Sequence, residues 1–503
     1  MKIKSAIILV GFICGLFVLS CGRNREVKEY DAFSDKKITD SLITDAVEDE
    51  ISYHPEVPSH LIDVSTKDGI VILSGSVDNL LSKNRAEEVA AQVKGVKGIV
   101  NDIIVKSEPV ADDVLKRRVE GGLDYDPSTN PWDIDVKVKN GDVFLSGIVG
   151  SWQEIRFAGN VAQSIFGVKK VTNNLVFQYD SLRPDDEIYY EIKRIYLTDA
   201  RLDHSLIKVN VNGGMVSLYG IVGSLPEKSL AIADAWVSGV RSVDASNLEI
   251  KYWARDPRLR VDKYVKKSDS EIDSAIQLAY TYDYRVRNYD VTVNVQNGYV
   301  TLTGDVKNLM EKEAAKSDAM DIVGVWEVDN RIKVRPDILY SDKDILGRVR
   351  SAFENNQYLN KYKFNLNVYN GKLYIDGKVD TPYERLLAEQ VADRIPGVAA
   401  VKNNLVVSNY FNNYSDFYYK YNYPIIEAPN LLPDDKIKEN IERELWRSPF
   451  VNSEEIHVNV KDGHVILTGT VETQREKKAA EKNAFEGGAF TVENDITVRY
   501  WPN

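Results

Sequence analysis

The sequence predicts an α+β protein built from six tandem copies of one small α-β-β-α-β module, strung out as an extended repeat array. Two observations predict it. Paired glycines six residues apart recur as Gly69 and Gly75, Gly141 and Gly147, Gly214 and Gly220, Gly298 and Gly304, Gly371 and Gly377, Gly463 and Gly469. The second members are separated by 72, 73, 84, 73 and 92 residues, a unit of about seventy with two longer spacers. A further glycine follows nineteen or twenty residues later in every copy: Gly95, Gly167, Gly239, Gly324, Gly397 and Gly488.

Each element of the module has its own signal. Ahead of each glycine pair, apolar residues at helical spacing predict an amphipathic first helix, as with Ile38, Leu42, Ala46 and Ile51, or Ile437, Ile441 and Leu445. The first glycine follows Asp68, Asn140, Gly213, Asn297, Asn370 or Asp462, dipeptides that adopt positive φ at both centres of a tight hairpin turn. Flanking residues alternate as strands do: Ile134, Val136 and Val138 lead in while Val143 and Leu145 lead out, and copy six answers with Ile456, Val458, Val460, Val465 and Leu467. One sheet face should thus be apolar and the other polar. The second glycine is expected to end the outgoing strand, ahead of a second helix that carries Ala86, Val89, Ala90 and Val93 in copy one. The third glycine is read as that helix's cap, and valine follows it in every copy but the sixth, which has Ala489. A last strand contains Asn101, Asn173, Asn330, Asn403 or Asn494, where copy three has Ala245.

This order, with V-x-V-x-N/D-G-x-V-x-L-x-G-x-V followed by a helix and Gly-Val, resembles the BON domain of bacterial envelope proteins, from about Asp35 to Arg499. The resemblance implies a three-stranded mixed sheet with two helices on one face in each module. It also implies no catalytic residues, and roles in envelope integrity, osmotic protection and contact with phospholipid or other envelope components. Modules are expected at 35–107, 108–178, 183–251, 268–335, 341–408 and 432–500, with a basic linker at 252–267 and a tyrosine-rich linker at 409–431. A unit this small buries a modest core and gains from neighbours.

The beginning of the chain reads as a signal peptide at 1–20 followed by a tether at 21–34: Lys2 and Lys4 precede an uncharged run too short to span a membrane comfortably. Leu19-Ser20-Cys21-Gly22 resembles the lipobox of bacterial lipoproteins, which makes Cys21 the expected lipid attachment site; the rival is a plain signal with an incidental cysteine. Cys14 would leave with the signal, so no internal disulfide is expected. Gly22 is not the aspartate that favours inner-membrane retention, and an outer-membrane lipoprotein facing the periplasm or the surface is expected. A net charge of −12 argues against nucleic acid as a partner.

Chemistry-bearing motifs are scarce. The five histidines are scattered; His457 and His464 come nearest to a ligand pair but read as strand residues flanking the last hairpin. No nucleophile elbow, phosphate loop or dinucleotide fingerprint occurs, so no catalytic residue, metal or cofactor is expected. The basic linker sets Trp253 beside Arg255, Arg258 and Arg260, a composition suited to an anionic lipid surface or, preferred here, to complementing acidic neighbours. In the other linker Tyr418, Tyr419 and Tyr421 belong to a run expected to pack across the joint between copies five and six, with a glycan- or protein-binding face as the alternative. The expected function is that of a non-catalytic, lipid-anchored envelope protein binding phospholipid headgroups or envelope proteins. The alternative is a protein-assembly adaptor or a glycan- or ligand-binding protein that uses inter-module surfaces.

Overall fold

The structure, a computed structural model, describes residues 38–499 apart from 53, 55, 130, 178–182, 256–266, 284, 287–290, 408–432, 449 and 490. Six modules of the expected order are present. Their first helices are Asp40–Ser52, Asp112–Tyr125, Asp185–Thr198, Asp269–Tyr282, Asp342–Asn355 and Asp434–Arg447. Their second helices are Leu80–Gln92, Trp152–Ser164, Leu225–Asp234, Leu309–Met320, Pro382–Asp393 and Gln474–Glu486. In each sheet the second hairpin strand is central, antiparallel to the first strand and parallel to the last. The parallel pairing follows from the helix that carries the chain back across the sheet.

The hairpin turns are as the dipeptides require, with φ of 54° at Asp68 and 79° at Gly69. The module's first helix holds this turn. In every copy an aspartate at the helix start accepts both turn amides, as Asp40 does from Asp68 at 2.8 Å and Gly69 at 2.9 Å, and Asp434 from Asp462 and Gly463 at 2.8 Å. Asp112, Asp185, Asp269 and Asp342 repeat the arrangement. At Asp185 the Gly214 and Gly213 amides hold the carboxyl below its usual range.

Two glycine roles differ from expectation. The second glycine does not end its strand: Gly75 lies inside Ile70–Val77, at φ 118°, pressed against the start of the first strand. The third glycine is not the helix cap in modules 1 to 5, whereas in module 6 Gly488, φ 102°, takes the expected left-handed position directly after the helix end at Gly487. The helix of module 1 ends at Gln92, and Gly95, φ 95°, lets the chain pass Ile38 and Ile43 at the start of the first helix. The last-strand asparagine ties strand to helix, Asn101 Nδ2 donating to the Lys83 carbonyl at 3.0 Å while Oδ1 accepts from Ile103 at 3.3 Å. Around Ala245 in module 3 the last strand shifts register between Asp244 and Asn247.

Each module has its own apolar core between sheet and helices. The expected extended array, in which each module would touch only its sequence neighbours, is corrected. Leu80, the first residue of a module 1 helix, is buried in the core of module 2. Its counterpart in module 2, Trp152, stacks on Trp236 of module 3, with centroids 5.4 Å and planes 10° apart. Leu225 of module 3 in turn packs on the core of module 1, so the first three modules close on one another. Leu309 of module 4 enters the core of module 5, and Gln474 of module 6 donates to the Trp326 carbonyl of module 4 at 2.6 Å. The physical reason is core size: apolar residues that a small module cannot cover are covered by another module.

Candidate functional site: charged joints and an exposed sheet face

Just past the first helix of each module lies an equivalent position, occupied by His54, Asp126, Asp199, Asp283, Asn356 or Ser448, and joints between the two halves of the chain form around it. Modules 2 and 5 join by an isolated antiparallel bridge between Ile165 and Asn356, with Phe166 donating to Asn355 at 2.7 Å and Gln357 to Ser164 at 3.0 Å. Arg394 closes the reciprocal contact on Asp126 at 3.0 Å. Modules 3 and 4 join in the same way through Asp199 and Ile322, with Arg201 2.9 Å from Asp321 and 2.5 Å from Asp199. Arg475 of module 6 also clasps Asp321. Modules 1 and 5 meet at Tyr358, whose hydroxyl donates to the Glu56 carbonyl at 3.0 Å and lies 2.9 Å from Ser82 Oγ.

Module 1 meets module 6 through a buried charged cluster. His54 lies 3.2 Å from Glu56, 3.5 Å from Glu50 and 3.8 Å from Glu486, while Arg85 pairs with Glu56 at 3.0 Å. Arg447 reaches Asp49 at 3.2 Å but stays 3.7 Å from Glu444. Burial opposes the His54 charge, yet its bonds to Glu50 and Glu56 hold the imidazole above its usual range. Burial pushes Glu444 up to about 9 with the help of neighbouring Glu50, whereas at Glu50 the bonds from His54 and Glu444 outweigh burial and hold it at about 2. In modules 3 and 4, burial and then Asp199 or Asp283 push Asp234 and Asp318 well up.

These perturbed carboxylates arise from module packing. Among the described residues no group of three or more histidines, cysteines or carboxylates could hold a metal. His464 bonds Thr491 across the strands at 2.5 Å, and His457 points outward on the neighbouring strand.

Of the sequence-predicted binding residues, Trp253 alone has a described side chain. Trp253 is half-buried in the short helix Tyr252–Arg255. The neighbouring Tyr252 covers Lys94 of module 1, whose ammonium sits 3.8 Å from that ring and 3.8 Å from Trp446 of module 6. The start of the basic linker is therefore tied into a joint. Arg258, Arg260, Tyr418, Tyr419, Tyr421 and Cys21 lie outside the described residues, as does the side chain of Arg255.

One surface escaped the sequence reading. The outer sheet face of module 2, expected to be polar, carries Ile148 at 56% and Val176 at 55% exposure, paired across adjacent strands, with Phe144 further along. Trp132, in the turn entering the first strand, is 91% exposed. Lys137 pairs with Phe144 and lies with Lys139 and Lys170 on the same face, where they outnumber Asp135 and Asp142 by one. The available signal was Ile148, at a position where four of the other five copies place a polar residue, Ser76, Asp305, Lys378 and Thr470.

No helix among the described residues is long and apolar enough to cross a membrane. The chain is 29% identical over 143 residues to osmotically-inducible protein Y of Escherichia coli strain K12, covering 27% of this chain and 71% of that protein. It is 28% identical over 149 residues to outer membrane lipoprotein DolP of Haemophilus influenzae, covering 28% and 76%. An uncharacterized protein in the gshII 5' region of Anaplasma centrale is 26% identical over 152 residues, 29% of this chain and 99% of that one. Among solved structures, the C-terminal domain of CdsD, a structural protein of the Chlamydia trachomatis type III secretion system, aligns at 13% identity and a TM-score of 0.12 over 42% of this chain and all of that one. The BON domain model matches six times, at 39–107, 111–179, 184–252, 268–336, 341–409 and 433–500, each match coinciding with one module, and the chain belongs to the BON domain family.

Proposed function

We propose that this is a non-catalytic envelope protein, lipid-anchored through Cys21 at the outer membrane, which lays the outer sheet face of module 2 on a phospholipid surface. The observation that carries this reading is the exposed Ile148 and Val176 pair on that face, with Trp132, 91% exposed, in the turn that leads into the adjacent strand. A tryptophan at a membrane–water boundary has its ring in the acyl boundary and its N–H among headgroups. Lys137, Lys139 and Lys170 outnumber Asp135 and Asp142 on the same face and leave a small positive excess for anionic headgroups, an attraction that salt weakens. Relatives named for osmotic induction and as an outer membrane lipoprotein support an envelope role. An acyl anchor adds the second attachment that makes a weak surface contact durable.

The test is co-sedimentation of the unacylated chain with vesicles of mixed zwitterionic and anionic phospholipid. Binding at low salt that falls several-fold in Trp132→Ala and in Ile148→Ser supports the reading. Equal binding by these variants and the parent removes module 2 from it. Capture of a specific envelope protein or glycan without vesicle binding replaces the lipid reading with the adaptor one.

A further inference from the structure

The joint between modules 1 and 6 leaves an imbalance that a proton resolves. Glu50 and Glu444, 7% and 1% exposed, come from the first helices of modules 1 and 6, which the Arg447–Asp49 ion pair joins at 3.2 Å. Glu50 Oε2 and Glu444 Oε1 have no donor among the described residues. Two ionised carboxylates cannot share such a site, whereas one proton between them satisfies both oxygens. The surrounding charges do not compensate. From module 1, Asp49, His54, Glu56 and Arg85 face the pair. From module 6, Arg447 stands on the same helix as Glu444, and Glu486 with Lys482, 2.9 Å apart, on the second helix. Arg447 is drawn to Asp49, and its 3.7 Å separation from Glu444 is too long for a hydrogen bond.

We propose that the contact between modules 1 and 6 is a proton-operated latch, closed while Glu50 and Glu444 share a proton and opened by alkaline surroundings that remove it. His54 works in the same direction, since its imidazolium is held by Glu50, Glu56 and Glu486 and loses those attractions once neutral. At the joint of modules 3 and 4 the buried carboxyls instead neighbour aspartates of their own module, Asp234 with Asp199 and Asp318 with Asp283, and the joint itself is closed by the ion pair of Arg201 with Asp321.

The latch is tested by pulsed electron spin measurement of the distance between labels at Glu48→Cys and Lys438→Cys, exposed on the two first helices, in the whole chain carrying Cys14→Ser and Cys21→Ser. The expected result is one distance below about pH 7 and a longer population that dominates by about pH 10, bracketing ordinary histidine and the raised carboxyl. Glu444→Gln, whose amide donates to Glu50 without a proton, should keep the short distance throughout; Glu50→Gln serves if the first variant does not fold. Exposed Glu442→Gln should behave as the parent. An unchanged parental distance up to about pH 10 overturns the latch, as does opening of Glu444→Gln alongside the parent. Loss of far-ultraviolet circular dichroism at the same pH as the distance change also overturns it, because the event is then unfolding.

Discussion

Gly75 and the carbonyl of Leu61 are packed so closely that a Cβ on Gly75 would stand 2.1 Å from that oxygen. The same contact measures 2.0 Å between Gly147 and Asp133, 2.1 Å between Gly220 and Leu206, and 1.9 Å between Gly469 and Glu455, but 3.4 Å between Gly377 and Lys363. The oxygen belongs to backbone just before the first strand, so it cannot swing aside. Gly75→Ala or Gly469→Ala should therefore destabilise its module by at least about 3 kcal/mol. Gly377→Ala, at φ 148° with an ordinary contact, should cost only about 1–2 kcal/mol of backbone strain. Denaturant unfolding of the three variants checks the ranking, and equal losses would break it.

The aspartate that opens each first helix should matter as much as the hairpin it holds. Asp112 accepts the Asn140 amide at 2.9 Å and the Gly141 amide at 3.0 Å, two charge-assisted bonds that fix the turn to the helix start. Asp112→Ala should cost about 1–3 kcal/mol and speed hydrogen exchange at those two amides first. Asp112→Asn, which keeps one acceptor oxygen, should lose roughly half as much. Unchanged exchange at Asn140 and Gly141 in the alanine variant would contradict this.

The module was legible in the sequence because its signals are local. Turn dipeptides and period-two alternation act within a few residues, and repetition separated them from coincidence. The aspartate clamp was missed although Asp40, Asp112, Asp185, Asp269, Asp342 and Asp434 precede their turns at one fixed distance. An acidic residue in a first turn is already explained by the helix dipole, so nothing local demanded a distant partner. The second helices carried an equally readable mark: Ser151, Ser224, Asn308, Thr381 and Thr473 each cap a helix whose third residue is glutamate. The joints were not legible. Asp126, Asp199, Asp283, Asn356 and Ser448 share a position at which the side-chain oxygen accepts from the amide two residues on, while His54 departs from it; such a local turn names no partner module. Which module covers which depends on contacts hundreds of residues apart, such as Tyr358 with Glu56.

Tyr358 shows how such a joint can be probed. Its ring is 4% exposed and packs edge-on against Tyr383 at 5.4 Å, while Arg85 lies 4.9 Å from the Tyr383 ring. Tyr358→Phe keeps the ring and removes the hydroxyl that bonds Glu56, so the loss should be about 1–2 kcal/mol. Tyr358→Ala removes the packing too and should cost about 3–5 kcal/mol. Since the contact joins modules 1 and 5, both variants should also increase protease cleavage between the two halves; a stability loss without it would place the effect inside module 5.

The joint of modules 4 and 5 offers a pH test with a defined sign. Asp393 closes the second helix of module 5, and its Oδ1 is buried with no donor among the described residues. Burial first, then the carboxylates of Glu389 and of Glu313 in module 4, push its carboxyl from 3.8 up to about 7 against the pull of Arg394. The folded chain therefore holds a proton that the unfolded chain has released between those two values. Its contribution to stability is fully present below pH 3.8 and disappears as the pH rises through about 7. Asp393→Asn, neutral at every pH, should match the parent near the acid end and exceed it by about 2–4 kcal/mol at about pH 8. Unfolding midpoints measured at both ends of that window check the difference. A variant that gains equally at both pH values would show that the amide acts by packing alone, and one that loses at about pH 8 would show that the ionised Asp393 is held favourably by Arg394 after all.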